Sequence, residues 1–547
     1  MAVARPGLIA RVRGSRSPYL LPVLVFVAAF ALVPVALLFA ETVASAGASG
    51  VVAILSGPQN VRAVENSVEQ GGLSAVLAVA LGYPAGVFLG RYEWPGRSAV
   101  RAGLLVPFLL PSLVVVFGVL DLFGPSGLLL GVSPALAALG HGLAGIVVAN
   151  LLFNVPIVIL LTAAGVEGSA ADLEETVASL GGSPARAYLE VWARPSWVGA
   201  LAGVLLTFLF SALSFAPPLL LCGPGCYTVE AQVWFLDTFG LSPTAAGVLS
   251  AAMVALFAVP TIAYLVALGW LRSQPGRRSA PKRPDWRSPT VVALAVETAA
   301  VIAGVVVLLG AVLARTVAPQ GGGGAGSAWT ALFSGATQAR LGISVGGAVA
   351  NTLFFATVAA SIALVLGILA SYAIAGRPRA AKGLGLVLFV PLLLSPVVLA
   401  FALADFWRPA LGGASSVWVL VIVSQAILAL PLALQSLGLP LAALTREERD
   451  AARALGASPW GAFVDADLPR VRSGIVTAAL FAFALGLGEF TATYFLVTPT
   501  FTTLPVALYN LADTRAFGVA DAAAGLLLLH SLAVFAAITF GGRRVEL

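Results

Sequence analysis

Asp450-Ala451-Ala452-Arg453-Ala454-Leu455-Gly456-Ala457-Ser458-Pro459 lies between two long apolar runs, and a near-copy stands 275 residues earlier. That copy reads Glu175-Thr176-Val177-Ala178-Ser179-Leu180-Gly181-Gly182-Ser183-Pro184. In each, an acid precedes a glycine by six positions, a leucine sits directly before the glycine, and Ser-Pro begins two positions after it. An aromatic follows at Tyr188 and at Phe463. Both stretches predict helix–turn–helix. In the second, Thr445 can N-cap a helix carrying Glu447, Glu448 and Asp450 in its first turns, where the helix dipole favours acids. Leu455 closes that helix, and Gly456 suits the left-handed turn that ends it. Ser458 and Pro459 then supply an N-cap and a first-position proline for another helix. The small side chains of Ala451, Ala452 and Ala454 let a second backbone come close. Asp172, Glu174, Glu175, Gly181, Ser183 and Pro184 repeat the pattern in the first copy. A chain with two such handles is built to grip a two-fold symmetric partner.

Outward from the handles the solvent changes. Hydrophobic residues are 59% of the 547 and charged ones only 10%, too few for the surface of a water-soluble protein of this length. Mean hydropathy is +1.00. Apolar runs of about 20 residues, each enough to cross a ~30 Å hydrocarbon core as a helix, recur twelve times. They fall near 19–40, 71–90, 101–123, 140–163, 197–222, 246–270, 290–314, 351–375, 385–406, 416–438, 474–497 and 518–540. Runs this long do not fit the alternating ten-residue strands of a membrane barrel. The expected class is therefore an all-α membrane protein of about twelve transmembrane helices.

Charge sets the orientation. With the N-terminus inside, only Arg62, Arg315, Arg340, Arg408 and Arg515 of the 30 Lys and Arg fall outside. That bias obeys the positive-inside rule and predicts both termini in the cytoplasm of a prokaryotic cell membrane. The net charge of +6 then reads as retention of cytoplasmic loops. No basic surface with interleaved aromatics argues for nucleic acid. The first apolar run lacks a small-residue cleavage site and reads as a retained span.

The repeat extends beyond the handles. Asn66-Ser67 and Gly82 recur at a spacing of 285 as Asn351-Thr352 and Gly367, and Val106-Pro107 with Pro111 corresponds to Val390-Pro391 with Pro396. Asp121 and Asp405 each end the run that follows. Pro156 matches Pro431, and Thr228 with Trp234 matches Thr503 with Tyr509, at the spacing of 275. Two parallel six-helix repeats follow, a first half over 1–271 and a second over 290–547, joined by a Pro- and Arg-rich cytoplasmic linker over 272–289.

The pair of handles resembles the EAA loops of permease subunits of binding-protein-dependent ABC importers. The second copy keeps the pattern through Leu468-Pro469. The first departs at Thr176-Val177, at Ala185 opposite Trp460, and at Arg194-Pro195, one residue out of step. The resemblance implies a type I-like permease fold with both halves fused. It also implies an ATPase homodimer contacted through Glu174, Glu175, Leu180, Gly181, Ser183, Pro184, Asp450, Ala451, Ala452, Leu455, Gly456, Ser458 and Pro459. An extracytoplasmic solute-binding protein would deliver solute. The chain would hold no cofactor of its own, ATP and Mg being bound by the ATPase, and spans one and seven would be peripheral. Fused permeases of this size resemble thiamine and ferric-iron importers. Leu485-Gly-Leu-Gly-Glu-Phe490 and Phe501-Thr-Thr-Leu-Pro-Val-Ala-Leu-Tyr509 look more like the thiamine type, because iron-type chains carry Lys-Glu-Leu-Pro where Gly488-Glu489-Phe490-Thr491 stands.

Competing classes find less support in the residues. A P-loop needs Gly-Lys before Ser or Thr, and neither Lys282 nor Lys382 has that context. An ion-driven secondary transporter also suits two six-span halves, but it wants several ionisable residues near the midplane. Within the spans stand only Glu297, Glu489 and His530. Glu489 and its repeat mate Ser214 are candidates to line the solute path; the alternative for Glu489 is a polar residue bonded between helices. The two histidines have no metal-ligand spacing, and no nucleophile–base constellation presents itself. Cys222-Gly-Pro-Gly-Cys226 fits either a short disulfide on an oxidising side or two buried thiols.

Overall fold

The computed structural model describes residues 19–167, 171–272, 281–320, 326–374, 394–412, 417–442, 451–458, 461, 463–498 and 501–545. Their regular structure is helical, apart from one bridge of backbone pairing between Tyr92 and Lys282. In lipid only the helix satisfies each N–H and C=O within its own segment, so runs this apolar fold this way. The first half runs α1 (Leu20–Leu55), α2 (Pro58–Arg91), α3 (Arg97–Leu109), α4 (Ser112–Phe123), α5 (Gly142–Glu167) and α6 (Ala171–Ser179). It continues through α7 (Pro184–Ala187), α8 (Tyr188–Ala212), α9 (Ala216–Leu221), α10 (Val229–Thr238) and α11 (Pro243–Arg272). The second half runs α12 (Pro289–Val317), α13 (Val345–Ile374), α14 (Pro396–Trp407) and α15 (Val417–Ala442). It ends with α16 (Leu468–Gly488), α17 (Thr491–Leu496), α18 (Leu504–Asp513) and α19 (Phe517–Val545).

Among the described residues, ten helices are long and apolar enough to cross a membrane, and eleven crossings result if α3 and α4 count as one. The straight span expected over 101–123 is in fact broken, with α3 and α4 meeting at 98°. Pro111 is the cause: it lacks an N–H, and it holds Leu110 in an extended conformation at ψ 140°. Its repeat mate Pro396 opens α14, where the Ser395 hydroxyl accepts from the N–H groups of Val397 (3.1 Å) and Val398 (3.3 Å). The first part of the span expected over 385–406 lies outside the described residues. Pro84, Pro156 and Pro260 are carried inside long helices, as neighbouring helices in a bundle allow.

Two compact units form, and each takes residues from both sequence halves. One comprises Met1–Glu41, Gly335–Ala507 and Leu529–Leu547; the other comprises Thr42–Ser334 and Leu508–Leu528. Within the former, the start of α1 lies on the second half. Trp407 Nε1 donates to the carbonyl of Ala29 at 3.1 Å, Phe30 packs on Trp407, and Tyr19 meets Tyr372 edge-on. Within the latter, α12 lies on the first half, with Leu308 filling the space over Gly118. Arg315 of α12 donates to the Ser126 carbonyl, and Gln320 just beyond it bonds Asp121 and Asp521. The start of α1 thus packs with the second half, and α12 with the first. The same unit contains Thr42 against Gly247 and Thr316 against Gly525, where only a glycine leaves room.

Candidate functional site

The handles are built alike. In the first, α6 ends at a Schellman-type turn: Gly182 N–H bonds the Val177 carbonyl at 2.8 Å, with Gly181 at φ +75°. In the second, Ala457 N–H bonds the Ala452 carbonyl at 3.0 Å, with Gly456 at φ +90°. Both glycines hold a left-handed conformation that an L side chain resists by about 1–2 kcal/mol. Ser183 Oγ then accepts from Arg186 N–H (3.3 Å) and Ser458 Oγ from Gly461 N–H (3.1 Å), so both serines cap the chain that follows. Leu180 and Leu455 point away from everything described, 82% and 89% exposed. Ala451 is exposed and Ala452 half-buried. Glu175 and Pro184 lie in helix, whereas Asp450 and Pro459 fall outside the described residues.

Glu174 has a different setting from the other handle residues. It bonds Arg91, which closes α2, and Lys282 Nζ at 3.1 Å. Burial acts to raise its carboxyl, but hydrogen bonds and charge from Arg91 and Lys282 outweigh it and hold the group below the ordinary carboxylate range. The root of the same handle carries a second ionic cluster, in which Arg97 (2.7 Å) and Arg101 both bond Glu167.

The second repeated site is the break after α8 and after α16. Glu489 caps α17. Its carboxylate accepts from the N–H groups of Ala492 and Thr493, both at 2.8 Å, and from the Thr493 hydroxyl at 2.5 Å. The first N–H groups of a helix have no partners of their own, and a negative charge suits them. Gln425 of α15 adds a bond to Thr493 at 3.3 Å. In the first half Ser214 occupies the break, taking hydrogen bonds from Gln70 at 3.3 Å and, on its carbonyl, from Thr228 at 2.8 Å. Here the structure brings in residues that the sequence marked only as repeats. Asn66 donates to the Tyr227 carbonyl (3.1 Å) as Asn351 does to the Thr502 carbonyl (3.0 Å). Ser67 accepts from Val229 N–H (3.0 Å) as Thr352 does from Leu504 N–H (2.8 Å). Each pair ties the second long helix of its half to the turn opening α10 or α18. Cys222 and Cys226 are joined as a disulfide next to that turn, and Asn66 also donates to the Gly225 carbonyl at 3.3 Å. A polar pair on a helix facing its equivalent at equal spacing was the available signal for these clamps.

Residues 82–273 match the family described as binding-protein-dependent transport system inner membrane component. The chain is also similar to the thiamine transport system permease protein ThiP of Escherichia coli (strain K12), 26% identical over 511 residues, covering 88% of this chain and 89% of that one. The same protein of Brucella abortus (strain 2308) is 26% identical over 511 residues, covering 88% and 87%. A probable molybdenum ABC transporter permease protein of Haloferax volcanii is 32% identical over 177 residues, covering 32% of this chain and 65% of that one. Residues 82–273 thus carry the permease component of binding-protein-dependent importers, and the likeness to thiamine permeases runs over most of the chain. The length over which these relatives align fits a permease with two halves in one chain.

Proposed function

We propose that the two handles seat two copies of a separate ATPase, while an extracytoplasmic binding protein delivers solute from the other side of a prokaryotic cell membrane. The observation that carries this reading is the pair Leu180 and Leu455, the most exposed large apolar side chains among the described residues. Both lie between the long apolar helices rather than within one. The same apolar side chain stands exposed at the same place in both handles, beside the same left-handed glycine turn, as a contact with two copies of one partner requires. Handles and termini are cytoplasmic on this reading, and the linker over 272–289 joins permease halves 1–271 and 290–547. ATP and Mg are bound by the ATPase. Closure of its dimer draws the handles and turns the solute path outward, and hydrolysis resets it. Ser214 and Glu489 mark the broken helices of that path.

Thiamine is the proposed solute. Its support is the likeness to thiamine transport permeases over 88% of the chain, together with the Leu485–Phe490 and Phe501–Tyr509 segments. Affinity capture of the detergent-solubilised chain from its native membrane tests the coupling. Recovery of a P-loop ATPase at two per chain is expected, with loss of at least about tenfold in a Gly181→Val/Gly456→Val variant, whose strain (~1.4 kcal/mol or more) falls on the docking turn. Recovery of the chain alone would sink the reading. Uptake of labelled thiamine against labelled ferric iron, in cells with and without the gene, then decides the solute.

A further inference from the structure

Lys282, in the connector between the halves, does more than join them. Its N–H bonds the Arg91 carbonyl at 2.9 Å, and its carbonyl accepts from Glu93 N–H at 2.8 Å, a two-bond parallel pairing with the end of α2. Its ammonium then reaches Glu174 of the first handle. Arg91 completes the arrangement. Its guanidinium bonds Glu174 on the limb entering the turn and lies 3.7 Å over the ring of Trp192 on the limb leaving it. The Arg91 side chain is 10% exposed and that of Glu174 14%, so the pair is shielded from water and salt more than a surface pair is. A planar guanidinium serves this double task, stacking and hydrogen bonding together, in a way an ammonium cannot. Seven residues after Lys282, α12 begins, and α12 lies along α2 and α4.

The sequence of the second handle does not repeat the position of Glu174. At the spacing of 275, Arg449 stands where Glu174 does, and Asp467 where Trp192 does. The charge is reversed and the aromatic is missing. Among the described residues the Arg–Glu–Lys lock stands at the first handle, and the connector is its third member.

We propose that Arg91 and Lys282 are positioning residues that lock the first handle to the inter-half connector through Glu174, so that movement of this handle is passed to α12. The proposal rests on the reading that the handle seats an ATPase, and it assigns Glu174 to the chain's own connector rather than to that partner. The ATPase moves the handle; the lock determines how much of that movement reaches the membrane helices.

The test uses the full chain reconstituted with its ATPase and binding protein, reading solute imported per ATP hydrolysed alongside ATPase affinity. Lys282→Glu is the first variant, because Lys282 is half exposed and its replacement leaves the backbone pairing in place. It should lower the import ratio about threefold, the range of a single ion-pair change, with ATPase affinity unchanged within about twofold. The double exchange Lys282→Glu/Glu174→Lys should restore the ratio, because it keeps opposite charges at the two positions and leaves one carboxylate beside two cations. Arg91→Lys, which keeps the charge but loses the fork, should lower the ratio as well. An unchanged ratio in Lys282→Glu and Arg91→Lys overturns the proposal, as does a loss of ATPase affinity in step with the ratio, which would place Glu174 in the partner contact. If a variant is too poorly folded to purify, protection of 171–179 from hydrogen exchange in Lys282→Gln gives the same answer: faster exchange supports the lock, unchanged exchange removes it. Failure of the unmodified chain to recruit any ATPase would instead count against the function proposed above.

Discussion

Glu489 illustrates what a single residue discloses before and after folding. As sequence it is a carboxylate inside an apolar run, and such residues often lie on a solute or ion path. In the structure its oxygens are taken up by the first turn of α17. The sequence hint was the break itself, Gly486-Leu-Gly-Glu, but which group ends up facing the orphaned N–H donors depends on where the helix stops, at Gly488. The cap makes a prediction. Glu489→Gln keeps one carbonyl acceptor toward α17 and turns its amide on the other N–H, so stability should fall by about 1–3 kcal/mol while the folded protein still takes up solute. Glu489→Leu leaves two buried N–H groups without an acceptor, at about 1–3 kcal/mol each, and should lower the melting temperature in detergent as well as uptake. Uptake abolished in a fully stable Glu489→Gln protein would instead make the carboxylate part of transport.

Helices were the most legible elements, since a run of about 20 apolar residues has one outcome in lipid. The handle turns were also legible, because Leu-Gly-x-Ser-Pro encodes an end, a left-handed residue and a new cap in five positions. Less legible was the 98° bend at Pro111. A proline breaks some helices and rides inside others, as Pro84, Pro156 and Pro260 do, and its neighbours decide which. The ionic lock was illegible because its members lie at positions 91, 174 and 282, brought together only by folding. At this scale the lock has a pH signature. A carboxyl held below its ordinary range contributes stability above its unfolded pKa, about 4.3, and loses it as pH falls through the folded value. Hydrogen exchange of α6, corrected for intrinsic rate, should therefore be flat between pH 8 and pH 5.5 and rise only below about pH 4. A rise between pH 7 and 6 would mean that Glu174 is not held by Arg91 and Lys282.

At the scale of the whole molecule, the sequence repeat and the compact units divide the chain differently. The repeat puts the boundary in the connector, whereas packing places the start of α1 with the second half and α12 with the first. Sequence periodicity detects what was duplicated, and it is blind to which copy of a helix fills which groove, because both copies are equally apolar. The exchange has a consequence for folding. Each half has a face that a helix of the other covers: removing α12 uncovers Gly118 and the Asp121 that Gln320 bonds, and removing α1 uncovers Trp407. A chain cut inside the connector before Lys282, expressed as two polypeptides together, should therefore assemble and transport, since the cut breaks no described contact. Either polypeptide alone should be degraded or should aggregate, with buried apolar faces and the Asp121 carboxylate left without their covers. Quantifying each fragment in membranes, alone and together, checks this. Stable accumulation of a lone half would show that α1 and α12 are accessories to cores that close without them, and the reciprocal exchange would then be an association formed after folding rather than a condition of it.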